Sequence, residues 1–237
     1  QRLSRGLGDV YKRQIFKGSE DFVGQIIHPQ EWNSTIDYEN KKVAVIGSGA
    51  TAVTLVPQIA KKASHVTMIQ RSPTYIASVP SKYKILHLLN YISPKFGYKI
   101  IRFTNILRQR RIYRRARRSP ELVKDYLLGL VRDELPGFDI EKHFTPSYNP
   151  WEQRLCLAPD SDFFESIKQK RVSIETETID SFSEKGVQLD SGKLIEADII
   201  VTATGIKLQN FGGIRIFVDK NEIDISKSFI YKSMMYT

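Results

Sequence analysis

The sequence predicts an α/β fold, a doubly wound parallel sheet interrupted by a helical insertion. Three observations carry that expectation. Short β-branched runs alternate with helical stretches, a glycine-rich turn joins one such run directly to a helix, and a long basic stretch of helical character separates the two halves of the pattern.

Residues 1–14, QRLSRGLGDVYKRQ, have no periodicity and resemble translated adapter sequence, so they are expected to be non-native. Residues 15–40 read as an interdomain segment. A nucleotide-binding domain is expected over 41–203, opening with a buried strand at 41–46 (KKVAVI), a helix over 50–62 and a second strand at 65–69. Strand, tight turn, helix and strand within about 30 residues form the βαβ unit of a parallel sheet. The helical insertion is expected over about 81–145, with breaks at Pro94 and Pro120. Beyond the loop around Pro146 and Pro150 come a helix from near Asp160, a strand at 172–175, a hairpin about the turn Asp190-Ser191-Gly192, and a β-branched strand at 198–203 (DIIVTA). The last residues stop in mid-pattern, and the native chain is expected to continue.

Composition bounds the function classes. At 237 residues and 41% hydrophobic content the chain can bury a substantial core. The single Cys156 rules out an internal disulfide framework and a cysteine-rich metal site, and no metal is expected. No uncharged apolar stretch reaches the ~18 residues of a membrane span. The net charge of +10 is localised: residues 41–120 hold 17 Lys and Arg and no acid. Such a field faces an anionic ligand or surface. Within it, residues 102–118 carry eight arginines interleaved with Phe103, Ile106, Leu107, Ile112 and Tyr113. A solvated helix face, contact with an anionic membrane and nucleic-acid binding all fit that run, and nucleic acid is the least expected partner. The cytoplasm is the expected location, with peripheral membrane association through 102–118 as the open alternative.

The strongest local signal is Gly47-Ser48-Gly49-Ala50-Thr51-Ala52, a G-x-G-x-x-A turn between a strand and a helix. Gly47 permits the tight turn, Gly49 lets backbone approach a pyrophosphate, Ala52 allows close helix–sheet packing, and the helix end supplies amide donors. This is the Rossmann-like arrangement for a dinucleotide. An acid that bonds ribose hydroxyls normally ends the second strand, but here stand Gln70-Arg71-Ser72. Without a carboxylate, and with the Arg71 fork and the Ser72 hydroxyl, the site selects NADP over NAD.

Upstream, Phe22, Gly24, His28 and Trp32 fall in the spacing F-x-G-x-x-x-H-x-x-x-W. Spacing alone implies no chemistry for His28 or Trp32, but the pattern resembles the fingerprint of type I Baeyer-Villiger monooxygenases. The resemblance runs through almost all of 22–237, including HFTPSYNPWEQRLCLAPDSDFF and the strand-ending Ala203-Thr204-Gly205. It is closest to the bacterial subgroup that includes the ethionamide-activating enzyme. Trp32 favours the ketone-oxidising branch over the N-oxide-forming one. Asn33 departs from the Pro or Asp usual in that branch, and Gln153 replaces a phosphate-holding Lys found in some members, so that contact is not carried over.

The resemblance implies two cofactors, FAD and NADP, with O2 and a ketone or thioether as substrates, and oxygen transfer through a C4a-peroxyflavin. It assigns the flavin-facing arginine to Arg154, with His28 as a second catalytic residue, and cofactor contacts to Ala203, Thr204 and Gly205. It makes 204–237 a truncated return to the FAD-binding domain, whose own glycine fingerprint is missing, so the isolated chain is expected to be inactive. The rival readings are a flavin monooxygenase acting on soft nitrogen or sulfur and a non-enzymatic basic nucleic-acid-binding protein. A disulfide reductase would need a cysteine pair that the chain lacks.

Overall fold

The computed structural model describes residues 16–82, 93–153, 155–205, 215–223, 230–231 and 235–236. The chain divides into two compact units, one of residues 17–203 and one of 1–16 with 204–237. In the larger unit, five parallel strands stand in the order β1 (Gln25–Ile27), β10 (Ile199–Thr202), β2 (Lys42–Ile46), β3 (His65–Gln70) and β6 (Val172–Thr176). Every residue of 43–46 is buried, as a central parallel strand covered on both faces requires. The register places Val45 beside Met68 and Val201, and Met68 beside Ile174. Helix α1 (Ala50–Ile59) presses Ala52, Val53, Val56 and Ile59 onto that layer, and α5 (Asp162–Lys168) adds Phe163, Phe164 and Ile167 to the same core.

The order explains where a ligand belongs. From β2 the chain crosses to β3 on one side and later returns to β10 on the other, which makes the carboxyl end of β2 the topological switch point of the sheet.

Two strands absent from the sequence expectation frame the insertion. β4 (Tyr75–Val79) and β5 (Leu155–Pro159) pair in parallel with each other, Tyr75 opposite Leu155 and Val79 opposite Pro159. Between them come α2 (Pro94–Arg118), α3 (Pro120–Glu134) and the short α4 (Ile140–Phe144). Both long helices begin at the prolines expected to break the pattern, because a first-turn proline lacks only an amide that has no partner there. Residues 83–92 of the expected insertion lie outside the described residues. The hairpin is one strand larger than expected: β7 (Ile179–Ser183), β8 (Gly186–Leu189) and β9 (Leu194–Glu196) form an antiparallel meander.

Two helix boundaries also move. α1 stops at Ile59 rather than Lys62, and Ala60 closes it with its amide donating a hydrogen bond to the Val56 carbonyl. The helix expected from near Asp160 begins at Asp162, because Asp160 and Ser161 both take left-handed backbone angles, φ 49° and 59°. The Asp160 carboxylate accepts from the Ser81 amide at 2.9 Å instead, tying the end of β5 to the end of β4. The smaller unit contains the short antiparallel pairs β11 (Phe217–Val218) with β12 (Asn221–Glu222) and β13 (Ile230–Tyr231) with β14 (Met235–Tyr236).

Candidate functional site

The glycine turn sits where the sheet reverses. Gly47 has φ 132°, and a Cβ there would stand 2.5 Å from the Ala203 carbonyl oxygen at the end of β10. Both the backbone angle and the close approach require glycine. The Gly47 amide donates to the Ile69 carbonyl at 2.8 Å, binding the turn to β3. Gly49 is the N-cap of α1 and no side chain caps that end, so the helix presents its first amides and the positive end of its dipole at the switch point. Ala50 is exposed, Thr51 half-buried and Ala52 fully buried against the core. The family-like sequence thus reproduces locally the arrangement that a pyrophosphate needs.

Around this helix end lies a cleft of about 360 Å³ lined by Ser48, Gly49, Ser72, Pro73, Thr74, Tyr148 and Gln153. No acid lines it. Arg71 and Ser72, immediately after β3, are exposed, and among the described residues no ion pair occupies Arg71. The preceding Gln70 is buried, and its side-chain amide donates to the His143 carbonyl and to Thr176 Oγ1, both at 2.8 Å. An anchored Gln70 therefore fixes the backbone from which the exposed Arg71 projects, next in sequence to the cleft-lining Ser72. Burial, with Lys142 beside it, holds the His143 imidazole below its ordinary pKa, and its Nδ1 lies 2.8 Å from Thr176 Oγ1.

Thr74 belongs to no motif and Tyr148, inside the family-like stretch that begins at His143, has no role assigned by it, yet their hydroxyls meet at 2.9 Å in the cleft wall. Tyr75 donates its hydroxyl to the Tyr148 carbonyl at 2.8 Å, and the two rings meet edge to face at 5.5 Å. Burial, then the neighbouring Tyr148, pushes the Tyr75 phenol up to about 12, which keeps it a proton donor across the physiological range. Seventy-odd residues separate these partners in sequence, so only a tertiary contact could have revealed them.

The upstream motif divides into packing and edge positions. Phe22 is buried, and a Cβ on Gly24 would collide with the Phe22 ring at 2.5 Å and with the Asp198 carbonyl at 2.3 Å. His28 follows β1 at the same carboxyl edge as the glycine turn, is 8% exposed, and caps a short 3-10 turn by accepting from the Gln30 amide at 3.3 Å. Trp32 closes that turn and packs edge to face with Tyr38 at 5.7 Å. Ala203 ends β10 beside Gly47. Thr204 and Gly205 fall in the other compact unit. Arg154 lies outside the described residues. Among the described residues no group of three or more His, Cys, Asp or Glu is placed to hold a metal ion.

Comparison with known proteins agrees with this geometry. Residues 9–102 match the family described as flavin-binding monooxygenase-like. The chain is 49% identical over 223 residues to the FAD-containing monooxygenase EthA of Mycobacterium tuberculosis, covering 93% of this chain and 46% of the relative. It is 48% identical over 222 residues to the probable FAD-binding monooxygenase AlmA of Acinetobacter baylyi, covering 93% and 45% respectively. The chain thus spans about half the length of the curated relatives it matches. Among solved structures it resembles an oxidised steroid monooxygenase bound to NADP, with TM-score 0.65, 18% identity and 82% of this chain covered against 44% of that one. It also resembles OTEMO in complex with FAD and NADP, with TM-score 0.63, 18% identity and coverage of 82% and 45%. At that identity the likeness to the solved structures is one of fold, the doubly wound Rossmann-like architecture expected from the sequence. In sequence the chain is similar to FAD-containing monooxygenases, and in fold it is similar to solved structures of monooxygenases bound to FAD and NADP.

Proposed function

We propose that this chain supplies the NADPH-binding region of an FAD- and NADPH-dependent monooxygenase that inserts one oxygen atom of O2 into ketones to form esters, or oxidises thioethers. One observation carries the reading: an uncapped helix end at the switch point of the sheet, with Arg71 and Ser72 where an NAD site would have an acid. NADP fits the donors present. The α1 amides suit the pyrophosphate, Arg71 with Ser72 suits the 2′-phosphate, and no carboxylate in the cleft wall opposes either. Bound NADPH would supply the hydride that reduces the flavin, while the chain's own work is to bind and orient the dinucleotide at the sheet edge. By resemblance, Arg154 is the catalytic cation and His28 a residue of the same edge, with Ala203, Thr204 and Gly205 as further cofactor contacts. The NADPH requirement suits a cytoplasmic setting.

Two measurements test the reading. The full chain should bind NADPH more tightly than NADH, and Arg71→Ala should weaken NADPH by about 10- to 100-fold, the worth of a charge-assisted phosphate contact, while sparing NADH. Equal affinity for the two dinucleotides would overturn the NADP assignment. For the chemistry, a chimera in which this chain replaces the matched segment of the Mycobacterium tuberculosis relative should convert a ketone to its ester with NADPH. A chimera that makes N-oxide from an amine and no ester from the ketone would instead support the N/S-oxygenating alternative.

A second reading concerns α2. Of its 25 residues only Gly97 and Ala116 are buried. Phe96, Ile100, Phe103 and Leu107 recur at helical spacing, with Phe96 56% and Phe103 63% exposed. The arginines of 102–118 stand with Lys95 and Lys99, and the helix contains no acid. This combination supports peripheral contact with an anionic lipid surface. No described helix is long and apolar enough to cross a membrane. The chain should sediment with phosphatidylglycerol vesicles at low salt, remain free of phosphatidylcholine vesicles, and lose binding in R110E/R114E. Equal partition to both vesicle types would exclude this contact.

A further inference from the structure

The loop that follows β3 is tied down at three successive points, two of them made by residues to which no role in dinucleotide selection is attached. At its root the Gly47 amide donates to the Ile69 carbonyl at 2.8 Å. In its middle the Ser48 hydroxyl donates to the Ser72 carbonyl at 3.1 Å. At its far end the Thr74 hydroxyl pairs with the Tyr148 hydroxyl at 2.9 Å. Tyr148 is itself held through its carbonyl by the buried Tyr75 hydroxyl. On the opposite side of the strand end, Gln70 is fastened to His143 and Thr176.

We propose that Ser48 and Tyr148 are positioning residues for NADPH selection, which clamp the Arg71–Thr74 loop in the shape that receives a 2′-phosphate. The proposal rests on the NADPH reading of the site and assigns these side chains a task within it. Ser48 occupies the middle of Gly47-Ser48-Gly49, where a hydroxyl could equally well contact a pyrophosphate. Its hydrogen bond instead points across the cleft to the loop that carries Arg71. The Ser48 carbonyl accepts from Cys156 Sγ of β5 at 4.0 Å, so the residue is held by its backbone as well as by its side chain.

A long, flexible arginine yields selectivity only when its backbone is fixed, because ordering it at the moment of binding costs conformational entropy that a preset loop has already lost. Ser72 gains most from the clamp. Its carbonyl accepts from Ser48, which fixes the Ser72–Pro73 peptide plane and so the backbone from which the Ser72 hydroxyl projects. The pair Thr74–Tyr148 closes the loop toward the sequence segment after the insertion, so that the segment around residue 148 also bears on dinucleotide choice.

The test is equilibrium binding of NADPH and NADH to the full chain, followed by nicotinamide fluorescence. The set comprises wild type, S48A, S48T, Y148F and R71A, each checked for an unchanged thermal transition. S48A and Y148F are expected to weaken NADPH by about three- to tenfold, the range of one ordinary hydrogen bond, and to leave NADH within about twofold. S48T keeps the hydroxyl and should restore the wild-type ratio. An equal loss for both dinucleotides in S48A would overturn the proposal, since Ser48 would then touch the shared pyrophosphate. Unchanged NADPH affinity in both S48A and Y148F, with R71A still impaired, would overturn the clamp and leave the NADPH reading standing. A wild-type chain indifferent to NADPH, with R71A silent, would defeat that reading and the clamp together.

Discussion

The turn after β2 and helix α2 use the same chain in opposite ways. Around the turn, side chains are small and space is short: Ala44, Val45, Ala52 and Val56 are fully buried, and Gly47 lies against the end of β10. Along α2 the side chains are large and space is open, with aromatic residues and arginines alike facing solvent over most of its length. The contrast separates two kinds of recognition. In the proposed reading a dinucleotide would be met by fixed backbone amides and a braced loop, whereas an anionic surface would be met by many cations and exposed apolar groups.

Truncating one phenylalanine on each side measures how far the contrast extends to energetics. Phe164 is 1% exposed and packs on Phe144 and Phe163, so Phe164→Ala should cost about 3–5 kcal/mol of stability in denaturant unfolding. Phe103→Ala on the exposed face should stay within about 0.5 kcal/mol. A large loss at Phe103 would mean that α2 is packed rather than presented.

A smaller effect concerns the brace behind Arg71. Because burial, with Lys142 adding to it, lowers the His143 pKa in the folded chain, the unfolded chain takes up more protons as pH falls through the ordinary histidine value of 6.5. The resulting stability is present above that pH and is lost below it. Asp139 and Glu175 oppose the shift and Lys193 adds to it, so the effect is modest. Unfolding followed from pH 8 to 5 should show a decline that His143→Gln flattens. An identical decline in that variant would assign the pH dependence to other groups.

Much of this molecule was legible in its residues. The βαβ unit was readable because β2, α1 and β3 are contiguous and each carries its own periodicity, and because Gly47 and Gly49 serve a local backbone need. The two long helices announced themselves through Pro94 and Pro120. The strands β4 and β5 were not legible. They are five-residue runs, YIASV and LCLAP, which among the described residues pair with each other across the whole insertion, so neither has a local signal to separate it from loop. Likewise, the left-handed Asp160 and Ser161 could not be foreseen, since what holds Asp160 is Ser81, far away in sequence.

The sequence by itself determined the class of sheet, the glycine turn at its centre and the missing acid that favours NADP. Those features depend on neighbours within a few residues or on one repeating period. Only the tertiary structure decided what braces the Arg71 loop. Ser48, Tyr148, Gln70 and His143 reach it through hydrogen bonds spanning from 24 to over 70 positions, and pairing at that range is set by the packing of the sheet rather than by any pattern along the chain.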